Sequence, residues 1–237
     1  MAIAVAVLAL LLGSILVPLQ TQIEERQVSD TQKYLENIRD ALVGFAVTNG
    51  FLPCPDLTSG TGSNDGVEDV VSGTGFCNAS SITGSIAFGN LPWSTLGISN
   101  STDPWGNRFR YAVIENFARR SPASTFTLTT TVASASALRI CTTAACTTAL
   151  TDSSRNTVVA VILSHGKNGW GAINSQTNTA TAAPTSADEL ENTDTDTNFV
   201  YRERTAVGTT AGEFDDVVIW LSRMVLLNRM VAAGKLP

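Results

Sequence analysis

The run AIAVAVLALLLGSILVPL, Ala2–Leu19, decides how this chain is read. It carries no charge over eighteen residues and is interrupted only by Gly13, Ser14 and Pro18. A helix of about 20 apolar residues crosses a bilayer core, so a run of this length suits lipid or an apolar bundle. The helical rhythm continues beyond it. Ile23, Val28, Thr31, Tyr34 with Leu35, Ile38, Ala41 with Leu42, and Phe45 recur at steps that mark one apolar stripe. Between them fall Glu24, Glu25, Arg26, Asp30, Lys33, Glu36, Arg39 and Asp40, the mixed charges of an exposed face. Asn49-Gly50, followed by Pro53, supplies a stop. The first fifty residues therefore predict one helix about 75 Å long. Its segment 1–19 is apolar, its segment 20–50 is amphipathic, and a globular head is expected from 51–237. A cleaved signal peptide fits poorly, because no Lys or Arg precedes the run and the pattern carries on for about eight more turns. An ordinary membrane anchor is the plain competitor.

Composition narrows the function classes. Only 15% of residues are charged, the net charge is −6, and no basic cluster is longer than Arg119-Arg120. That excludes an electrostatic footprint for nucleic acid. The four cysteines are Cys54, Cys77, Cys141 and Cys146; no C-x-x-C occurs and the lone His165 is distant from them in sequence, which argues against zinc. With an anchor placing the head outside the cytoplasm, two disulfides are the better reading. Three pairings can be drawn, and the sequence-local Cys54–Cys77 and Cys141–Cys146 are favoured.

Beyond the helix, 51–107 reads as an irregular connection punctuated by Gly60, Gly62, Gly66, Gly73 and Gly75, with turns at Asp65-Gly66 and Pro104–Asn107. Arg108–Val113 alternates and is aromatic, hence a strand. Thr125–Val132 and Ala137–Cys141 are β-prone and predict a hairpin closed by the short disulfide. Thr157–Leu163 is wholly apolar apart from its first residue and predicts a central strand. Gln176–Ala187 is a Thr/Ala/Asn loop, and Phe199–Thr205 a further strand. Asp215–Ala233 has helical spacing, with Asp215 and Asp216 at its positive end and Gly234 after it. The expected fold is α+β: a long N-terminal helix packed on an antiparallel β-sheet head, with a C-terminal helix.

By this point the chain resembles the type IV pilin and type II secretion pseudopilin superfamily. The apolar segment runs directly into an amphipathic half, and Gly13 and Pro18 flank Ser14–Val17, where pilin helices often loosen in filaments. Asp103-Pro-Trp-Gly-Asn-Arg-Phe-Arg-Tyr111 resembles the D-P-W-G-N-x-Y-x-Y motif of major pseudopilins, and Ile162-Leu-Ser-His-Gly-Lys-Asn-Gly169 resembles their strand-to-turn segment. The likeness covers the first fifty residues well and the rest in patches. One departure stands out: Met1-Ala-Ile-Ala-Val carries neither the family's basic leader nor its early glutamate. Aligning Gly13 and Pro18 with the family places the expected start about five residues upstream of Met1.

The resemblance implies a structural subunit and no enzyme. Its partners would be copies of itself in a helical filament, the pilus or secretion assembly machinery, prepilin peptidase, and the bacterial inner membrane before assembly. The mature location would be an extracellular filament, or a periplasmic pseudopilus for a secretion subunit. Leu8, Leu11, Gly13, Ile15 and Pro18 would form the assembly core. Calcium is the one cofactor the likeness suggests. Asp188, Glu189, Glu191, Asp194, Asp196, Glu213, Asp215 and Asp216 supply oxygens suited to it, and Asp194, Asp196 and Asp215 are the expected ligands. His165, in a Ser-His-Gly-Lys-Asn-Gly turn, is expected to cap or pack rather than catalyse. A membrane-anchored periplasmic binding or enzymatic domain is the reading from another class.

Overall fold

The computed structural model describes residues 2–60, 62–78, 82–83, 85–99, 101–132, 137–151 and 157–236, with backbone alone for 2–19 and 82–83. One helix, α1 (Ala2–Asn49), runs for 48 residues, about 72 Å at 1.5 Å per residue. Its backbone stays helical through Gly13 and Pro18. Gly50 ends it in the left-handed region (φ 88°), and its N–H donates to the Ala46 carbonyl at 2.7 Å.

The head follows with β1 (Ile82–Thr83), β2 (Ile86–Asn90), α2 (Trp93–Leu96), β3 (Arg110–Ile114) and α3 (Glu115–Ala118). Next come β4 (Arg139–Cys141), β5 (Val158–Ser164), β6 (Ile173–Asn174) and β7 (Thr179–Ala180). The chain closes with α4 (Ala187–Glu191), β8 (Asn198–Val200), β9 (Val217–Ser222) and α5 (Arg223–Ala232). The main sheet has the order β1-β2-β3-β5-β9, and every neighbouring pair in it is antiparallel. The architecture is α+β, as expected.

The second half of α1 is built into the head. Thr31, Leu35, Ile38, Leu42 and Ala46 are buried, at steps of three and four that keep one face toward β5, β9 and α5. Thr31 satisfies its hydroxyl by donating to the Gln27 carbonyl at 2.8 Å. Ile23, expected in the stripe, stays 52% exposed. At that level α1 meets the head through the ion pairs Lys167–Glu24 and Arg204–Glu25, which in exposed positions add little.

β5 is buried along its whole length, as its apolar run requires, and lies between β3 and β9. Four expectations are corrected. Residues 217–222 form strand β9, and the C-terminal helix begins only at Arg223. Val217-Val-Ile-Trp-Leu221 satisfies helical spacing, but β-branched and aromatic residues pack well on a pleated surface. Pairing Leu163 with Val218 and Val161 with Trp220 also satisfies the open edge of β5. Among the described residues the hairpin expected from Thr125–Val132 and Ala137–Cys141 does not form: β4 pairs in parallel with β8, Cys141 opposite Val200. The strand expected over Phe199–Thr205 is shorter and earlier, at β8. Finally, the connection 51–107 contains strand β2, paired with β3 from Ile86↔Ile114 to Asn90↔Arg110.

Both local disulfides are formed, Cys54–Cys77 with Cα atoms 5.4 Å apart and Cys141–Cys146 with 5.1 Å. The first ties down the loop between β2 and the end of α1, where Glu68 accepts from the Cys54 N–H at 2.9 Å and pairs with Arg120. In the chain-entropy model, losing Cys54–Cys77 costs roughly 3 kcal/mol and losing the shorter loop roughly 2 kcal/mol. Guanidinium unfolding of the Cys54→Ser/Cys77→Ser and Cys141→Ser/Cys146→Ser chains should give midpoints in that order.

Candidate functional site

The two motifs that carry the family likeness meet in space. Asp103 caps its own turn: one carboxylate oxygen accepts from the N–H groups of Trp105 at 3.0 Å and Asn107 at 2.9 Å. Its other oxygen accepts from the Ser164 hydroxyl at 2.7 Å. That bond joins the 103–107 turn, which leads into β3, to the turn after β5. The second turn, Ser164–Gly169, packs so closely that side chains are excluded at both its glycines. A Cβ on Gly169 would lie 2.5 Å from Asn107 Nδ2 and one on Gly166 2.3 Å from the Asp215 carbonyl oxygen. Pro104-Trp-Gly-Asn and His165-Gly-Lys-Asn are therefore two halves of one clasp.

On the far side of the clasp lie three carboxylates. Glu189 from α4 and Asp215 and Asp216 before β9 each place an oxygen within 4.8 Å of the others. Glu189 is 1% exposed and Asp216 5%. Neutral donors hold them. Asn168 donates its backbone N–H to Asp215 at 2.9 Å and its amide to Glu189 at 3.1 Å, and the Asp215 N–H donates to Glu189 at 3.0 Å. Asn192 donates to Asp216 at 2.8 Å while its own oxygen accepts from Val200 at 2.8 Å. Oδ1 of Asp215 and Oδ1 of Asp216 are buried without a hydrogen-bond partner among the described residues. His165 Nδ1, equally buried and unpartnered, stands 3.7 Å from Asp216 Oδ1.

The electrostatic consequence is direct. Burial, then the neighbouring charges of Asp216 and Asp215, push Glu189 up to about 7. Burial and the charges of Asp216 and Glu213 push Asp215 up to about 6. A folded pKa above the unfolded value means stability is full below the unfolded value and is lost as pH rises through the folded one. Between about pH 5 and pH 8 the metal-free chain should therefore lose on the order of 5 °C of melting temperature, most steeply below the folded value of Asp215, where both groups stay protonated in the folded chain and ionise in the unfolded one. Glu189→Gln should flatten that slope in a series of thermal melts. A melting temperature that rises with pH in the native chain would contradict the geometry.

The expected calcium ligands are divided. Asp215 belongs to the buried group with Glu189 and Asp216, whereas Asp194 and Asp196 lie with Glu191 in a separate, largely exposed group. Asp194 and Asp196 serve as local caps there, accepting from the N–H groups of Asp196 at 3.2 Å and Asn198 at 2.7 Å. The buried group fits a hard cation better, since it alone has orphaned buried carboxylate oxygens. His165, expected to cap or pack, is 1% exposed in its turn.

The assembly residues Leu8, Leu11, Gly13, Ile15 and Pro18 lie outside the described side chains. Among the residues whose side chains are described no helix is long and apolar enough to cross a membrane, and the run Ala2–Leu19 lies outside them. Comparison with known proteins found no matching family model, no matching characterised protein and no matching solved structure.

Proposed function

We propose that the chain is a subunit of a type IV pilin-like filament, polymerising through its N-terminal helix. The observation that carries this reading is α1: one helix of 48 residues whose second half is built into the head's core and whose first half is an uncharged apolar run. A rigid helix joins the two, so a force or contact on the apolar half is passed to the head as a unit. Before assembly the apolar half sits in the inner membrane and the head faces the periplasm. On extraction the apolar halves repack around Leu8, Leu11, Gly13, Ile15 and Pro18. Each large aliphatic side chain removed from water there contributes about 1.5–3 kcal/mol. Contacts of this heterologous kind do not close, and so give a fibre.

The clasp between 103–107 and 164–169 favours a second reading, a pseudopilin in a short periplasmic pseudopilus. Calcium belongs to either one, held by Glu189, Asp215 and Asp216, where it would supply positive charge to three crowded carboxylates. Addition of calcium near pH 8 should raise the melting temperature, and Asp216→Asn should abolish the rise; no rise in the native chain removes calcium from the proposal.

Electron microscopy of fibres sheared from the source cells, with mass spectrometry of the subunit, tests the main reading. Long surface fibres containing this chain support the pilin. Fibres confined to the periplasm favour the pseudopilin, and a monomer retained in the membrane fraction defeats both.

A further inference from the structure

Arg108 and Arg110 stand two residues apart around the start of β3, so their side chains leave the strand on one face, opposite the buried Phe109 and Tyr111. Both line a recess of about 350 Å³ with Phe88, Asn90, His165 and Thr195. Arg108 is only 7% exposed. Three other arginines of the head reach carboxylates: Arg119 meets Glu115, Arg120 meets Glu68 and Arg202 meets Asp188. The pair in the recess does not. Arg108 donates to the Asn178 side-chain oxygen at 2.8 Å. Arg110 donates to the carbonyls of Thr193, at 2.9 Å, and Asp194, with its guanidinium over the Phe88 ring at 5.7 Å. Neither forms an ion pair among the described residues, and the Nε of each is buried without a partner.

Two cations held close by neutral oxygens in a recess are costly unless an anion completes them. Burial lowers Arg110 to about 10, although Asp194 and Asp216 act on it from a distance in the opposite direction. The geometry points to an oxyanion-binding site in this recess, with Arg108 and Arg110 gripping the carboxylate or phosphate of a small molecule. A guanidinium presents paired N–H groups that match either oxyanion. The volume admits the anion with a small organic body. Phe88 would pack against that body, and Thr195 stands exposed among the lining residues.

The test is calorimetric titration of the full chain in a non-ionic detergent at constant ionic strength, with inorganic phosphate in one arm and glucuronate in the other. Saturable binding of phosphate alone assigns a phosphorylated ligand, and of glucuronate alone a carboxylated one. Sodium chloride titrated as the control should give no saturable heat. Arg108→Gln should weaken the bound anion roughly ten- to a hundredfold, the loss expected for a charge-assisted contact. Thr195→Glu, at an exposed position, should place a carboxylate against the arginines and abolish binding in a chain that still folds. Failure of both anions to saturate in the native chain overturns the site. So does native affinity in folded Arg108→Gln, or in Thr195→Glu should Arg108→Gln not fold.

Discussion

Replacing Leu42 with alanine should lower the unfolding free energy by about 2–5 kcal/mol, the range for truncating a fully enclosed leucine. Leu42 has no exposed surface and lies in the part of α1 that covers the sheet and α5. Its loss removes apolar contacts and leaves a cavity between rigid elements, which close-packed interiors relieve only in part. Two neighbours separate packing from helix propensity. Asn37 is exposed, and Asn37→Ala should stay within about 0.5 kcal/mol of the native chain. Val43 lines the open groove between α1, β9 and α5 and is only partly buried, so Val43→Ala should cost less than Leu42→Ala. Denaturant unfolding in detergent gives all three. A Leu42→Ala cost below about 1 kcal/mol would mean that the second half of α1 is not embedded in the head. The filament reading would then lose its rigid link between fibre core and surface.

That helix was legible because two signals agreed along it: apolar residues at helical steps, and charges filling the gaps. Leu35, Ile38, Leu42 and Ala46 are buried on that pattern. β5 was legible for a different reason, since a short, wholly apolar run has nowhere to go but the middle of a sheet. β9 was not. Val217–Leu221 suits both periods, and what decides is the bare edge of β5, which lies more than fifty residues away in sequence. β2 was hidden by Gly89, which reads as a turn residue. The glycine is needed because the Asp56 carbonyl passes 2.3 Å from where its Cβ would sit. In the site, the carboxylates were visible as a group but their division was not. α4 and the strand start at Val217 carry Glu189, Asp215 and Asp216 together, leaving Asp194 and Asp196 outside. No local pattern encodes that meeting, nor the one between Asp103 and Ser164.

Gly166→Ala should be the most damaging single-methyl change in the clasp. Gly166 has φ 61°, a left-handed conformation that costs an L-residue roughly 1–2 kcal/mol. The added Cβ would also lie 2.3 Å from the Asp215 carbonyl and 2.4 Å from its Oδ1, far inside van der Waals contact. Relief requires Asp215 to move, and Asp215 accepts from Asn168 and donates to Glu189. Strain and the broken network together should cost about 3 kcal/mol or more. Gly106→Ala provides the control: its φ is 86° and nothing lies within 4 Å of the new methyl, so only the roughly 1–2 kcal/mol of backbone strain applies. The two variants should differ in a second observable as well. Displacing Asp215 separates the carboxylates, so Gly166→Ala should flatten the fall in melting temperature with rising pH, while Gly106→Ala keeps it. Equal costs and equal slopes would mean that Asp215 yields freely, and the three carboxylates would then be too loosely held to act as a built cation site.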